Sequence, residues 1–365
     1  MTTRWPAGVR KARDLVMEHG WNATAYQIVN PGIDHWFSER DDAVVGYVTY
    51  RKFRVVAGAP VCALARLDEV TAEFELSSRR AAEKVCYFGA EARLESLLKS
   101  RVDHAMALLG AQPSWNPSTW IDLPQAHSSL RAQLNRAANK GVRISEWSST
   151  NAAASPDLHS ILDRWLRGRG LPPLHFLVEP ATLERLDDRR VFVAARRSSD
   201  DGANDQPVAF AVLSPIPARN GWLVEQFPRD PEAPNGTIEL LLHDAITTVA
   251  REGASYVTLG LAPLAGRDAA GSLPEPLWLR LMLRWVRAHG RRFYNFGGLE
   301  AFKAKFRPDS WEPVYAIELS PHFTHHALYA IAGAFASAPP LHLAATALRR
   351  AVTQEVRWRR ETATR

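Results

Sequence analysis

Phe293-Tyr-Asn-Phe-Gly-Gly-Leu-Glu-Ala-Phe-Lys-Ala-Lys-Phe-Arg-Pro-Asp-Ser-Trp-Glu-Pro-Val-Tyr315 gathers aromatic rings, two lysines and a glycine pair more densely than a structural element requires. Phe293 to Phe296 predicts a short aromatic strand that stops at Gly297-Gly298, where a tight or left-handed turn is cheap. A helix follows: Leu299, Phe302 and Phe306 fall at i, i+3 and i+7, which buries one stripe and leaves Lys303 and Lys305 pointing away from it. Pro308 ends that helix.

Two stretches upstream share its character. Gly260-Leu-Ala-Pro-Leu-Ala-Gly266 follows a predicted strand, Tyr256 to Leu261, and a strand-end loop of Gly and Pro lets backbone N–H groups approach a ligand closely. Val224-Glu-Gln-Phe-Pro-Arg229 places Glu225 on a strand, and Ala233-Pro-Asn-Gly-Thr-Ile-Glu239 opens a helix. At that helix start Thr237 and Glu239 read as a cap and a first-turn acid that favours the macrodipole, and Glu239 reads equally well as a substrate contact.

Composition narrows the class. A chain of 365 residues with 46% hydrophobic content is long enough for two ordinary domains with real cores. The formal net charge of +6 suits an anionic partner, nucleic acid or an anionic membrane surface, without choosing between them. Cys62 and Cys86 each sit in an apolar run, which reads as buried free thiols in a reducing compartment. Met1-Thr-Thr-Arg-Trp-Pro6 shows no secretory signal, so cytoplasmic residence is expected. From Leu319 to Leu348 no Asp, Glu, Lys or Arg occurs, but Pro339-Pro340 interrupts the run and two short helices fit better than a membrane span. The second, from Leu341, ends among Arg349, Arg350, Arg357, Arg359 and Arg360 and reads either as an interfacial helix with basic anchors or as a helix docked on its own domain.

The chain alternates strands and helices in two similar halves, an α+β pattern with a boundary near residue 150. In the first half Val9 to His19 predicts a helix, Ala43 to Tyr50 and Phe53 to Val56 an antiparallel pair, Leu67 to Lys84 a helix, Val85 to Ala90 a strand, and Arg93 to Leu109 a helix. Ser128 to Arg143 predicts a bridging helix with Leu130, Leu134, Ala137 and Gly141 on one face and Arg136, Lys140 and Arg143 on another. In the second half Leu158 to Gly168, Gly236 to Glu252 and Pro276 to His289 read as helices, and Val191 to Arg196, Pro207 to Ser214 and Trp222 to Phe227 as strands. The resulting division is residues 1–127, a basic linking helix 128–150, a second unit 151–320, and a basic amphipathic tail 321–365. No His-Glu-x-x-His or clustered Cys/His spacing, Gly-x-x-x-x-Gly-Lys-Ser/Thr loop or Gly-x-Ser-x-Gly elbow occurs, which argues against zinc, NTP hydrolysis and a serine nucleophile.

The closing stretch resembles the closing motif of the catalytic domain of phosphatidylglycerol lysyltransferases and alanyl-phosphatidylglycerol synthases, of the type aromatic-Asn-Phe-x-Gly-Leu-x-x-Phe-Lys-x-Lys-Phe-x-Pro-x-Trp-Glu-Pro. Gly260-Leu-Ala-Pro-Leu264 is similar to the family's Gly-Met-Ala-Pro-Leu loop, and Pro234-Asn-Gly-Thr237 also matches. The likeness covers Leu158 to Leu319 well and the first half loosely, through Gly58-Ala-Pro and Ser114-Trp-Asn. It departs from the pattern in the extra residue of Asp309-Ser310, in Glu225 where the family has Asp, and in Arg229 one step later than expected.

The resemblance implies tandem acetyltransferase-like (GNAT) folds, with mixed central sheets flanked by helices, and transfer of an amino acid from aminoacyl-tRNA to a membrane lipid at the inner membrane face. It implies catalytic roles for Glu225, Lys303 and Arg229, substrate contacts by Glu239, Asn235, Gly260, Pro263 and Asn295, and tRNA contacts by Arg136, Lys140 and Arg143. No cofactor is expected, because an aminoacyl ester is already activated. The acyl-CoA signature Arg/Gln-x-x-Gly-x-Gly/Ala is absent where Ala233 to Thr237 stands, which argues for a different acyl donor. A GNAT-fold transferase with a soluble or peptide acceptor, and a non-catalytic tRNA or membrane binder, are the alternative readings.

Overall fold

The computed structural model describes residues 5–168, 175–197, 205–265, 276, 278–279 and 296–336. The first half opens with helix α1 (Ala7–His19), and strand β1 (Asp34–Phe37) then pairs with β2 (Val44–Tyr50). β2 turns into β3 (Phe53–Ala57) through Arg51 and Lys52, both at positive φ, the two-residue hairpin geometry that matches strand twist. Helix α2 (Leu67–Arg80) crosses over to β4 (Lys84–Ala90), which lies parallel to β3; Asp68 and Glu69 open α2 and Arg79 and Arg80 close it, each sign complementing the helix dipole. Helix α3 (Ala92–Leu98) and the long strand β5 (His104–Trp115) follow.

Three helices, α4 (Pro117–Trp120), α5 (Leu123–Ala126) and α6 (Ser128–Asn139), lead to β6 (Val142–Trp147), and α7 (Ser149–Ala154) and α8 (Pro156–Arg167) to β7 (Arg190–Arg196). Strands β8 (Gln206–Ile216) and β9 (Gly221–Gln226) continue antiparallel, and helix α9 (Thr237–Arg251) crosses over to β10 (Tyr256–Thr258), parallel to β9. A two-residue strand β11 (Ala262–Pro263), helix α10 (Phe296–Ala304), strand β12 (Ser310–Leu319) and helix α11 (His325–Ala336) complete the described chain.

Among the described residues all twelve strands join one sheet, in the order β1-β2-β3-β4-β12-β5-β10-β9-β8-β7-β6, with β11 on β5. The sheet does not break near residue 150. Strand β12, from the stretch assigned to the second unit, pairs along its whole length with β5 and partly with β4 of the first. A division into two units therefore remains a proposal about the chain, and it has to include an exchanged strand. The cores follow the same exchange: Trp115 and Trp120 pack with Leu241, Leu242 and Ile246 of α9 and with Phe306. On the other side α11 returns to cover β2 to β4 through Ala327, Ala330, Ile331 and Ala334.

Two sequence expectations are corrected here. The helix predicted from Arg93 to Leu109 ends at Leu98, and β5 begins at His104. Ala105 to Leu109 favour helix in isolation, but they lie in the middle of the sheet beside β12, and tertiary pairing overrides propensity. The basic helix predicted through Arg143 ends at Asn139: Gly141 takes φ 78, the left-handed residue that stops a helix, and Arg143 belongs to β6 opposite Ala195. Both cysteines are buried free thiols, as expected. The helix expected at Pro276 to His289 and the basic helix from Leu341 lie outside the described residues apart from Pro276, Trp278 and Leu279.

Candidate active site

The second parallel crossover shapes the site. β9 and β10 pair over three positions, from Gly221↔Tyr256 to Leu223↔Thr258, where the ladder stops. β9 runs on through Glu225 beyond β10's end, with a bulge against β8 at Val212/Leu213 that re-aims its side chains. Past Thr258 the chain turns at Gly260, whose φ is 70 and whose N–H donates to Thr258 Oγ1 at 3.0 Å. Beside this break α9 begins. Gly236, at φ 93, sits so close to α6 that a Cβ there would meet the Gln133 carbonyl oxygen at 2.1 Å, and only glycine serves.

The closing stretch locks these pieces together. Lys303 is 2% exposed, and its Nζ donates to the carbonyl oxygens of Leu259 (2.8 Å), Gly260 (2.7 Å) and Leu261 (3.0 Å). The expectation that it points away from the apolar stripe is therefore corrected. Local periodicity did not anticipate three carbonyls arriving from another loop. Burial pushes its pKa down to about 7, and the carbonyls oppose that drop because they accept all three protons of the ammonium form. Lys305, largely exposed, reaches Glu239 Oε1 in the first turn of α9 at 3.2 Å. Phe302 stacks on Phe227 at 5.7 Å, beyond the end of β9, and Phe306 stacks on Trp120 at 5.3 Å. Trp115 Nε1 donates to the Phe306 carbonyl at 2.8 Å. Gly297 and Gly298 are helical rather than a turn, and of the predicted aromatic strand only Phe296, at the start of α10, is described.

Glu225 is held by a residue that sequence reading missed. Arg189 Nε donates to its Oε1 at 2.7 Å, with both side chains buried. The same guanidinium donates to Asn30 Oδ1 (3.0 Å) and the Arg185 carbonyl (2.9 Å) and lies over the Tyr26 ring at 4.8 Å. This ion pair thus ties β9 to the first half of the chain. Arg229, half-buried, bridges its backbone to Ala209 and does not approach Glu225 as a partner. Asn235 is exposed beside Gly236. Pro263 lies in β11 opposite Gly110, where a Cβ would strike the Ala262 carbonyl oxygen at 2.3 Å. Asn295 lies outside the described residues. The structure brings Lys303, Gly260, Lys305 and Glu239 to the start of α9 and the end of β10, and leaves Arg136 and Lys140 exposed at the far end of α6 and Arg143 exposed on β6.

A second polar cluster joins the halves. Arg219 donates to Glu312 at 2.9 and 2.7 Å, Tyr256 hydroxyl donates to Glu312 at 2.9 Å, and Gln112 Nε2 lies 3.3 Å from the same carboxylate. Burial would raise the Glu312 carboxyl, but Arg219 and Tyr256 outweigh it and hold the pKa below the usual range. Glu91, 2% exposed and 3.6 Å from Arg219, is pushed up to about 7 by burial. Glu312 stands within the quoted Trp-Glu-Pro, so its type was visible in the sequence while its partners were not.

The sequence profile "Phosphatidylglycerol lysyltransferase, C-terminal" matches residues 4–318. The chain belongs to this family. A phosphatidylglycerol lysyltransferase from Bacillus subtilis (strain 168) is 29% identical over 113 residues, which is 31% of this chain and 13% of that protein. The chain thus aligns with a small part of its curated relative. The C-terminal domain (DUF2156) structure from Agrobacterium fabrum superposes with a TM-score of 0.72 at 22% identity, covering 90% of this chain and 96% of that one. The structure of L-PGS from Bacillus licheniformis gives 0.71 at 18% identity, covering 93% and 95%. At these identities the two structures speak for the fold alone, an α+β arrangement with a mixed central sheet flanked by helices. Among the described residues of this lysyltransferase-family chain, no helix is long and apolar enough to cross a membrane.

Proposed function

We propose that this chain transfers an aminoacyl group from aminoacyl-tRNA to a hydroxyl of an anionic glycerophospholipid such as phosphatidylglycerol, at a membrane face. The observation that carries the reading is the closure of the family's closing motif onto the β9–α9–β10 crossover through the three bonds of Lys303. The ester donor is already activated, so the protein's task is to align hydroxyl and carbonyl and to stabilise the oxyanion.

In this reading the first-turn amides of α9 and the Gly260 turn supply fixed dipoles at the reacting carbonyl. Glu225, oriented by Arg189, binds the α-ammonium of the aminoacyl group or takes the proton of the attacking hydroxyl. Arg229 and Asn235 meet phosphate or ribose, and Glu239, Pro263 and Asn295 border the substrate. Lys303 acts through the turn it holds, a positioning role.

Incubation with lysyl-tRNA or alanyl-tRNA and phosphatidylglycerol vesicles is expected to release free tRNA and give a ninhydrin-positive lipid. If charged tRNA is spared with every lipid extract, the proposal is wrong. Consumption without a lipid product moves the acceptor to a soluble molecule.

A further inference from the structure

The fold assembles a basic surface larger than the helix stripe read from the sequence. Arg136 and Lys140 are exposed at the end of α6, and Arg143 is exposed on β6. β6 is the last strand of the sheet, and its ladder sets Val142 opposite Arg196, at the exposed end of β7. Arg197, also exposed, donates its N–H to the Gly141 carbonyl at 3.0 Å, directly after Lys140. Five cations from three elements therefore wrap one corner of the sheet. The nearest acid on β6, Glu146, is occupied by Arg190 at 2.6 Å.

The position of this corner relative to the site gives it meaning. Gln133 of α6 touches Gly236, the residue before α9. From Gln133 to Lys140 the helix advances about 10 Å, so the basic corner begins roughly two turns from Asn235 and the start of α9. A donor whose ester lies at that helix start has these arginines within reach along α6.

We propose that the corner formed by Arg136, Lys140, Arg143, Arg196 and Arg197 is the surface that receives the phosphodiester backbone of the donor's RNA. The assignment rests on the donor being an aminoacyl-tRNA. Arg143, opposite Ala195, and Arg196, opposite Val142, leave the two paired strands on alternate faces of the corner, and each offers a planar fork to a phosphate. A membrane-binding surface of this charge would carry large apolar side chains to insert. Among the described residues those most exposed are Val102 and Leu64, and neither lies on these elements.

The test uses the full chain and a variant with Lys140→Ala, Arg143→Ala, Arg196→Ala and Arg197→Ala, each titrated into fluorescein-labelled deacylated tRNA over a range of salt. The slope of log affinity against log salt is expected to flatten by about 0.7 to 0.9 for each lost phosphate contact, with affinity down by about tenfold or more. In lysyl-tRNA or alanyl-tRNA transfer the loss appears in KM. A matched variant with Arg143→Lys, Arg196→Lys and Arg197→Lys is expected to keep most of the salt slope, which separates charge from folding. Equal slopes and affinities for the wild type and the alanine variant overturn the proposal. So does loss of flotation with phosphatidylglycerol vesicles while tRNA binding is intact. Patch-dependent tRNA binding without consumption of charged tRNA keeps the surface and removes the transfer reaction.

Discussion

Lys303 and Glu225 are both charges taken out of water, and each has found a different way to stay there. Lys303 gives three protons to three carbonyls, with a pKa near 7 in place of the ordinary 10.5. Between those two values the unfolded chain holds the proton and the folded chain releases it, so this group makes stability rise with pH across that window. Urea midpoints measured upward from about pH 7 are expected to show that rise in the wild type and to lack it in Lys303→Met. The same variant loosens the Gly260 turn, and a turn displaced by about 1 Å lowers transfer roughly a hundredfold. Glu225 instead depends on Arg189. Glu225→Gln leaves a buried guanidinium without its counter-charge and is expected to lower stability by about 3 kcal/mol in denaturant titration. Replacing both, Arg189→Met with Glu225→Leu, is expected to restore stability but not transfer. Recovery of transfer in the double variant would reduce Glu225 to a structural role.

At the scale of elements, the contact between α6 and the start of α9 is the tightest joint near the site. Gly236→Ala adds a Cβ against the Gln133 carbonyl and strains a left-handed backbone. The backbone term alone is about 1–2 kcal/mol, so a lower denaturation midpoint and weaker tRNA binding are expected together, both checked on one preparation. The sequence made most elements legible because their signals are local. The β2–β3 pair, α1, α8 and α9 follow from β-branched runs and apolar periodicity. It misled where a partner lies far along the chain: helix-forming residues of β5 became strand beside β12, and Lys303 was drawn inward by a loop some forty residues earlier. The candidate site divides the same way. Residue types such as Glu225, Gly260 and Lys303 stood out, whereas Arg189, Arg219, Arg196 and Arg197 acquire their meaning only through pairings that bring distant segments side by side.

Across the whole molecule, β12 makes the two halves inseparable. A fragment ending at residue 150 leaves β4 and β5 without the strand between them, and exposed strand edges recruit other chains. Such a fragment is expected to aggregate on its own and to become soluble when co-expressed with residues 151–365, as judged by gel filtration. A soluble, monomeric 1–150 fragment would mean that the exchanged strand is dispensable. The pairing of Ser114 with Ser310 spans 196 residues, and this has a consequence for the order of events in synthesis. A ribosome delivers the first half long before β12 emerges, so the centre of the sheet waits for the last of the described strands. Folding is thereby slow and gated by completion, as expected when native contacts are distant in sequence. A message cut short before residue 310 yields no half-working product, only a chain whose open middle marks it for removal.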